Sequence, residues 1–237
     1  MPTTREQTKQ QTTAQLARRA KLRADGKPAR VTRRRAQTRA RLLDAAFSVF
    51  AARGFGRASI EEVCEAAGYT RGAFYSNFDT LEELFFALYT ERNALMGEHV
   101  AAALTHPTEN LPELVAQVVA ALTVDRDWIL VSTDFRLYAA RTPELAAALT
   151  AHRDEVRDAL ASTLALAIDR SGLPPSLRSP KGLAQAVIAI HDGVAGELLL
   201  DSHPDRFRTR LTDLLTALLD HSRKDPEPSP ARPTRRQ

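Results

Sequence analysis

The chain carries one cysteine, Cys64, in 237 residues, so no internal disulfide can staple it and no paired-cysteine metal or redox motif exists. Cys64 falls at a small-residue position of a helical pattern, where packing is expected and redox sensing is the alternative. Long apolar runs are missing as well. No apolar segment of about 7–15 residues follows the basic start, and no stretch of about 20 could span a bilayer, so a cytoplasmic protein without membrane attachment is expected. Catalytic signatures are equally scarce. There is no Gly-x-x-x-x-Gly-Lys phosphate loop, no His-Glu-x-x-His pair and no Gly-x-Ser-x-Gly elbow. His191-Asp192 comes nearest to a catalytic or metal-binding pair, but nothing else at ligand spacing accompanies it. We therefore expect no enzyme, no metal and no cofactor. Period-two alternation is lacking too, which leaves an all-α chain.

What is present is an uneven charge. The net charge is only +4, yet residues 1–41 hold 13 Lys/Arg against 2 Asp/Glu, and the rest holds 20 against 27. Such a basic end suits a polyanion. Residues 1–31 have no bulky apolar stripe and read as a flexible arm. Arg30, Arg33, Arg34 and Arg35 are the arm residues placed to reach a minor groove or track phosphates, a solvated tail being the alternative. Residues 222–237, with four prolines among charges, read as a disordered tail.

The most informative stretch runs from Ser59 to Phe78. Ser59 and Glu62 have the spacing of a reciprocal helix cap, Ile60, Val63 and Ala67 recur at three and four residues, and Gly68 stands where a helix can end in a left-handed residue. Thr70 can then cap a second, very short helix with Phe74 and Phe78 as apolar anchors. So short a helix cannot stand alone. Props are visible on both sides: Leu43, Ala46, Phe47 and Phe50 upstream, and Leu81, Leu84, Phe85 and Leu88 downstream behind a cap at Asp79 or Thr80. Two short helices about a glycine turn, with a polar second helix, suit DNA.

Residues from Thr38 to about Tyr89 resemble the DNA-binding domain of the TetR family of bacterial regulators. The resemblance rests on Phe50, Gly54-Phe55, Ser59-Ile60, Ala67-Gly68-Tyr69-Thr70, Gly72-Ala73-Phe74-Tyr75 and Asn77-Phe78 in order. Two positions depart from the family pattern: Tyr69 replaces a small aliphatic residue, and Leu81 replaces a lysine that commonly meets a phosphate. The resemblance implies a helix-turn-helix whose second helix enters the major groove. Arg71 then becomes the candidate for a bidentate pair with guanine, and Gly72 and Ala73 permit close approach, with Ala73 able to meet a thymine methyl. Tyr75 and Asn77 are placed for phosphates, as are the helix starts at Ser59 and Thr70, and Tyr69 adds a possible backbone contact.

Further helical patterns follow to about His221, with starts at Thr142-Pro143, Ser179-Pro180 and His203-Pro204. The expected organisation is an arm (1–31), a helix-turn-helix domain (32–79), a helical effector-binding and dimerisation domain (80–221) and a tail. For a homodimer interface the apolar stripes nominate Val187, Ile190, Val194, Leu198, Phe207, Leu211, Leu214 and Leu218. The resemblance also implies a pocket for a small organic effector among these helices, for which Trp128, Ser132, Phe135 and Tyr138 recur along one helix and Phe86, His99, His152 and His191 lie on neighbouring ones, although aromatic stripes often serve only a core. The expected function is that of a dimeric repressor that leaves a palindromic site on double-stranded DNA when an effector binds. The alternative is a helical architectural or adaptor protein that binds DNA without responding to an effector.

Overall fold

The computed structural model describes residues 33–105, 110–167, 173–200 and 203–219. Among them there are nine helices and no strand: α1 (Arg33–Arg53), α2 (Ile60–Ala67), α3 (Arg71–Tyr75), α4 (Leu81–Ala103), α5 (Leu111–Ala121), α6 (Arg126–Ala139), α7 (Pro143–Ala167), α8 (Pro180–Leu198) and α9 (Pro204–Leu219). None is long and apolar enough to cross a membrane. Arg30 and the tail 222–237 lie outside the described residues.

Caps written in the sequence set several of these boundaries. Ser59 Oγ accepts from the backbone N–H of Glu62 at 3.2 Å while Glu62 Oε2 accepts from the Ser59 N–H at 3.0 Å. Gly68 ends α2 at φ 69°, and its N–H donates to the last carbonyls of the helix. Of the two residues able to cap α4, Thr80 does so by accepting from Glu83 N–H, and Glu83 reaches back to the N–H of Asp79. Pro143 and Pro180 open α7 and α8, where a missing N–H costs nothing.

The chain forms two compact units. Of the described residues, the first takes in 33–88 and 133–150, and so extends beyond the boundary expected at 79. The reason is an aromatic cluster. Phe50, Phe55, Phe85 and Phe135 are all buried; Phe135 stacks on Phe85 with centroids 3.6 Å apart and meets Phe55 edge-on at 4.7 Å. Asp134 Oδ2 accepts the N–H of Phe55 at 2.6 Å, where a 3-10 turn (Phe55–Arg57) begins and no helical carbonyl is available. Tyr138 donates to Glu82 at 3.3 Å, and burial, aided by the Glu82 carboxylate, raises its pKa. Thus the last part of α6 is built into the same core as α1 and the start of α4.

The second unit comprises the described residues that fall within 89–132 and 151–219. In it α9 packs on α5 and α8, around Val119, Leu173, Leu183, Leu198, Leu211 and their neighbours. This corrects the interface expectation: Val194, Leu198, Phe207 and Leu211 are at most 5% exposed within a single chain, so they serve its own core rather than a partner. Val187, Ile190 and Leu218 pack partly buried against the same cluster, whereas Leu214 is 42% exposed. A helix that is apolar on two sides does not disclose which side its own chain covers.

Candidate nucleic-acid interface

Helix α3 is only five residues long, and its neighbours hold it in place. Phe74 and Phe78 are fully buried, with their rings 5.9 Å apart, and the Arg39 guanidinium lies 4.5 Å over the Phe78 ring. Thr70 Oγ1 accepts from the N–H of Ala73, capping the helix. At the other end Ser76 Oγ donates to the Gly72 carbonyl and Asn77 Nδ2 to the Ala73 carbonyl, each at 2.8 Å. Asn77 therefore spends one of its amide donors inside the chain and is half-buried. Arg35 adds a brace from α1, donating to the Ser76 carbonyl at 3.1 Å. Arg33, Arg34 and Arg35 are thus helical residues of α1 and not part of an arm, and Arg35 acts on α3 from within the fold.

With its apolar side occupied, α3 presents Arg71, Gly72 and Tyr75 to solvent. Tyr75, at 47% exposed, is a large ring left uncovered, and Arg71 lies 59% exposed beside it. Gly72 would meet nothing closer than Thr70 Oγ1 at 3.7 Å if it carried a Cβ, so packing within the chain does not require a glycine there. Tyr69 and Ser59 are half-buried, and Thr70 is exposed. The Arg71 guanidinium is engaged on two sides: Nη1 is 2.7 Å from Glu61 Oε1, and Nη2 donates to the Tyr75 hydroxyl at 3.3 Å. The Tyr75 hydroxyl and then the Glu61 carboxylate raise its pKa. Glu61 was missed from sequence because its distance from Arg71 depends on how α2 and α3 cross.

The eight residues nominated for an effector pocket divide between the units. Phe86, Phe135 and Tyr138 belong to the first, where Phe135 is fully buried in the aromatic cluster and Phe86 meets it edge-on at 5.4 Å. That gives Phe135 a packing role. Tyr138 also lines a cavity of about 270 Å³ with Phe55, Ile60, Leu81 and Glu82. The other five lie in the second unit, and among them His99 is exposed on α4. Trp128 sits 5.9 Å from Tyr89 and 5.6 Å beneath the guanidinium of Arg92, which pairs with Asp125 at 2.8 Å. Ser132 donates to its own helix, at the Ile129 carbonyl, and His152 is half-buried. His191 Nδ1 is 3.5 Å from Asp192, whose other oxygen pairs with Arg153 at 2.9 Å. Burial alone would lower the Arg153 pKa, but Asp192 and Tyr89 raise it. Arg92 and Arg153, absent from the sequence nomination, are thus the cationic members of this half-buried group, each paired with an aspartate. Among the described residues no group of three or more His, Cys, Asp or Glu could hold a metal.

Comparison with known proteins agrees with this architecture. Residues 42–88 match the model for bacterial regulatory proteins of the tetR family, and residues 106–221 match that for the tetracyclin repressor-like C-terminal domain. The chain is 30% identical to the probable HTH-type transcriptional regulator ArpR of Pseudomonas putida over 172 residues, covering 69% of this chain and 81% of that one. It is likewise 30% identical to the HTH-type transcriptional regulator AcrR of Shigella flexneri, over 63% of this chain and 73% of its relative. The solved structure of the multidrug binding protein EbrR complexed with imidazole superposes with a TM-score of 0.55 and 26% identity, over 81% of this chain and 97% of EbrR. Matches spanning both units, together with the exposed reading helix, lead to one assignment: the chain belongs to the TetR family of DNA-binding bacterial regulators, which are not enzymes.

Proposed function

We propose that the protein is a dimeric repressor that binds a palindromic operator through α3 of each subunit and leaves it when a small organic effector binds the helical second unit. The observation that carries the DNA-binding part is the exposure of Arg71, Gly72 and Tyr75 on a helix whose opposite side is buried. Arg71 supplies two-pronged donation to guanine, Tyr75 and the capped helix starts at Ser59 and Thr70 supply phosphate contacts, and the small Ala73 side chain is the one suited to a thymine methyl. Asn77 supports the end of the reader through the Ala73 carbonyl, and Tyr69 supplies an extra contact to the DNA backbone.

Dimerisation is assigned to the solvent-facing side of α8 and α9. Ala189, Gly193 and Gly196 are exposed on α8, and a Cβ at either glycine would meet no atom within 4 Å, so a second copy can approach closely there. Leu214 is the exposed apolar anchor on α9, and Arg210 and Glu197 join the two helices through a 3.0 Å ion pair. For the effector, Trp128 and Tyr89 offer aromatic faces, with Arg92 and Arg153 as polar fixtures. That EbrR is a multidrug binding protein solved with imidazole favours an organic molecule as the effector here too.

The decisive experiment is selection of bound duplexes from a random-sequence pool, followed by footprinting and sedimentation of the complex. An inverted repeat protected by two subunits is expected. Binding without sequence preference supports the architectural alternative instead.

A further inference from the structure

We infer that Glu61, on α2, positions Arg71 and thereby sets how strongly the protein discriminates its operator from other DNA; this rests on the assignment of Arg71 to the base edges. Three observations support it. Glu61 is 58% exposed, and its Oε1 lies 2.7 Å from Arg71 Nη1. The cap of α2 does not need it, because Glu62 fills the capping position and also pairs with Arg53 at 3.4 Å. Arg71 is held at its second terminal nitrogen by the Tyr75 hydroxyl, so two residues from different helices fix one guanidinium.

A carboxylate on a surface that meets a polyanion is repelled by the phosphates, so Glu61 lowers general affinity for DNA. What it gives in return follows from the donor geometry. A guanidinium has five N–H groups. Glu61 and Tyr75 occupy one terminal nitrogen each, which leaves donors on both for the O6 and N7 acceptors of a guanine. The tether also removes rotamer freedom before binding, so less is lost on meeting the base. An untethered Arg71 could swing to a phosphate, a contact that carries no sequence information. Paired with Glu61, Arg71 brings almost no net charge to a phosphate but keeps its directional donors for a base. The pair therefore trades general affinity for discrimination.

The test uses the full chain, a duplex it selects from a random-sequence pool, and a scrambled duplex of the same length and composition, titrated by fluorescence anisotropy at several salt concentrations. For Glu61→Gln, binding to the scrambled duplex should tighten about 3–10-fold, the selected-to-scrambled ratio should fall about 10-fold, and the slope of log K against log salt should steepen by about 1. The lost discrimination should map to the base pair whose identity Arg71→Ala ceases to read. Glu61→Asp keeps the charge but shortens the reach; it should lower the ratio without tightening scrambled binding. In an Arg71→Ala background, Glu61→Gln should leave the ratio unchanged. A ratio within about 2-fold of wild type for Glu61→Gln, or an equal fall in the Arg71→Ala background, overturns the inference. If Arg71→Ala itself keeps the wild-type ratio, the base-reading assignment fails instead, so the two failures are distinguishable.

Discussion

Asp134 offers a sharp test of how the first unit is held together. Its carboxylate accepts the N–H of Phe55 at 2.6 Å, and Phe55 is only 3% exposed, so water is a poor replacement for the lost acceptor. Asp134→Ala leaves that donor buried and unpaired, which costs about 1–3 kcal/mol. Asp134→Asn keeps an oxygen in reach but loses the charge assistance, and a neutral bond of this kind is about half as strong, so a loss of roughly 1 kcal/mol is expected. The adjacent Gly54 is constrained twice over: its φ is 81°, and an added Cβ would lie 3.2 Å from Asp134 Oδ2. Gly54→Ala should therefore destabilise by about 1–3 kcal/mol from backbone strain alone. Amide exchange at Phe55, read alongside guanidinium unfolding, is the assay. The Phe55 amide should lose protection in Asp134→Ala and retain most of it in Asp134→Asn. If Asp134→Ala unfolds within about 0.5 kcal/mol of wild type while Phe55 stays protected, another group satisfies that donor and the reasoning is wrong.

Other consequences are equally measurable. Phe135→Ala removes a fully buried ring stacked on Phe85, and calorimetry should show destabilisation of about 3–5 kcal/mol. Leu214→Glu, on the exposed side of α9, should give folded monomers by sedimentation, whereas Leu211→Glu, at 0% exposure, should lose helical circular dichroism because it buries a charge. Arg71→Ala should weaken the selected duplex by about 1–3 kcal/mol while leaving thermal stability unchanged. Burial, followed by the neighbouring Glu61 charge, raises the Cys64 thiol pKa, so alkylation near neutral pH should be far slower in the folded protein than after denaturation and should accelerate as pH rises.

Local chemistry alone was enough to place helix boundaries and the turn before α3. A serine three residues ahead of its capping partner, a glycine free to adopt positive φ and a proline at a first helical position act within a few residues, so Ser59, Glu62, Gly68, Thr70, Pro143 and Pro180 carry that information wherever the rest of the chain goes. Other features depend on residues far apart in the chain. Periodicity shows that α8 and α9 have apolar stripes but not which stripe the same chain covers, and so Val194 and Leu211 were mistaken for partner-facing residues. Likewise, Phe135 and Tyr138 lie on a stripe that suits either a pocket or a core, and only the meeting with Phe55 and Phe85 shows that Phe135 is buried in the core while Tyr138 stays half-buried at a cavity. Arg71 was legible as a polar residue at the start of the second short helix; its tether to Glu61 was not, since an ion pair between two helices requires their crossing geometry, which depends on packing beyond the local sequence.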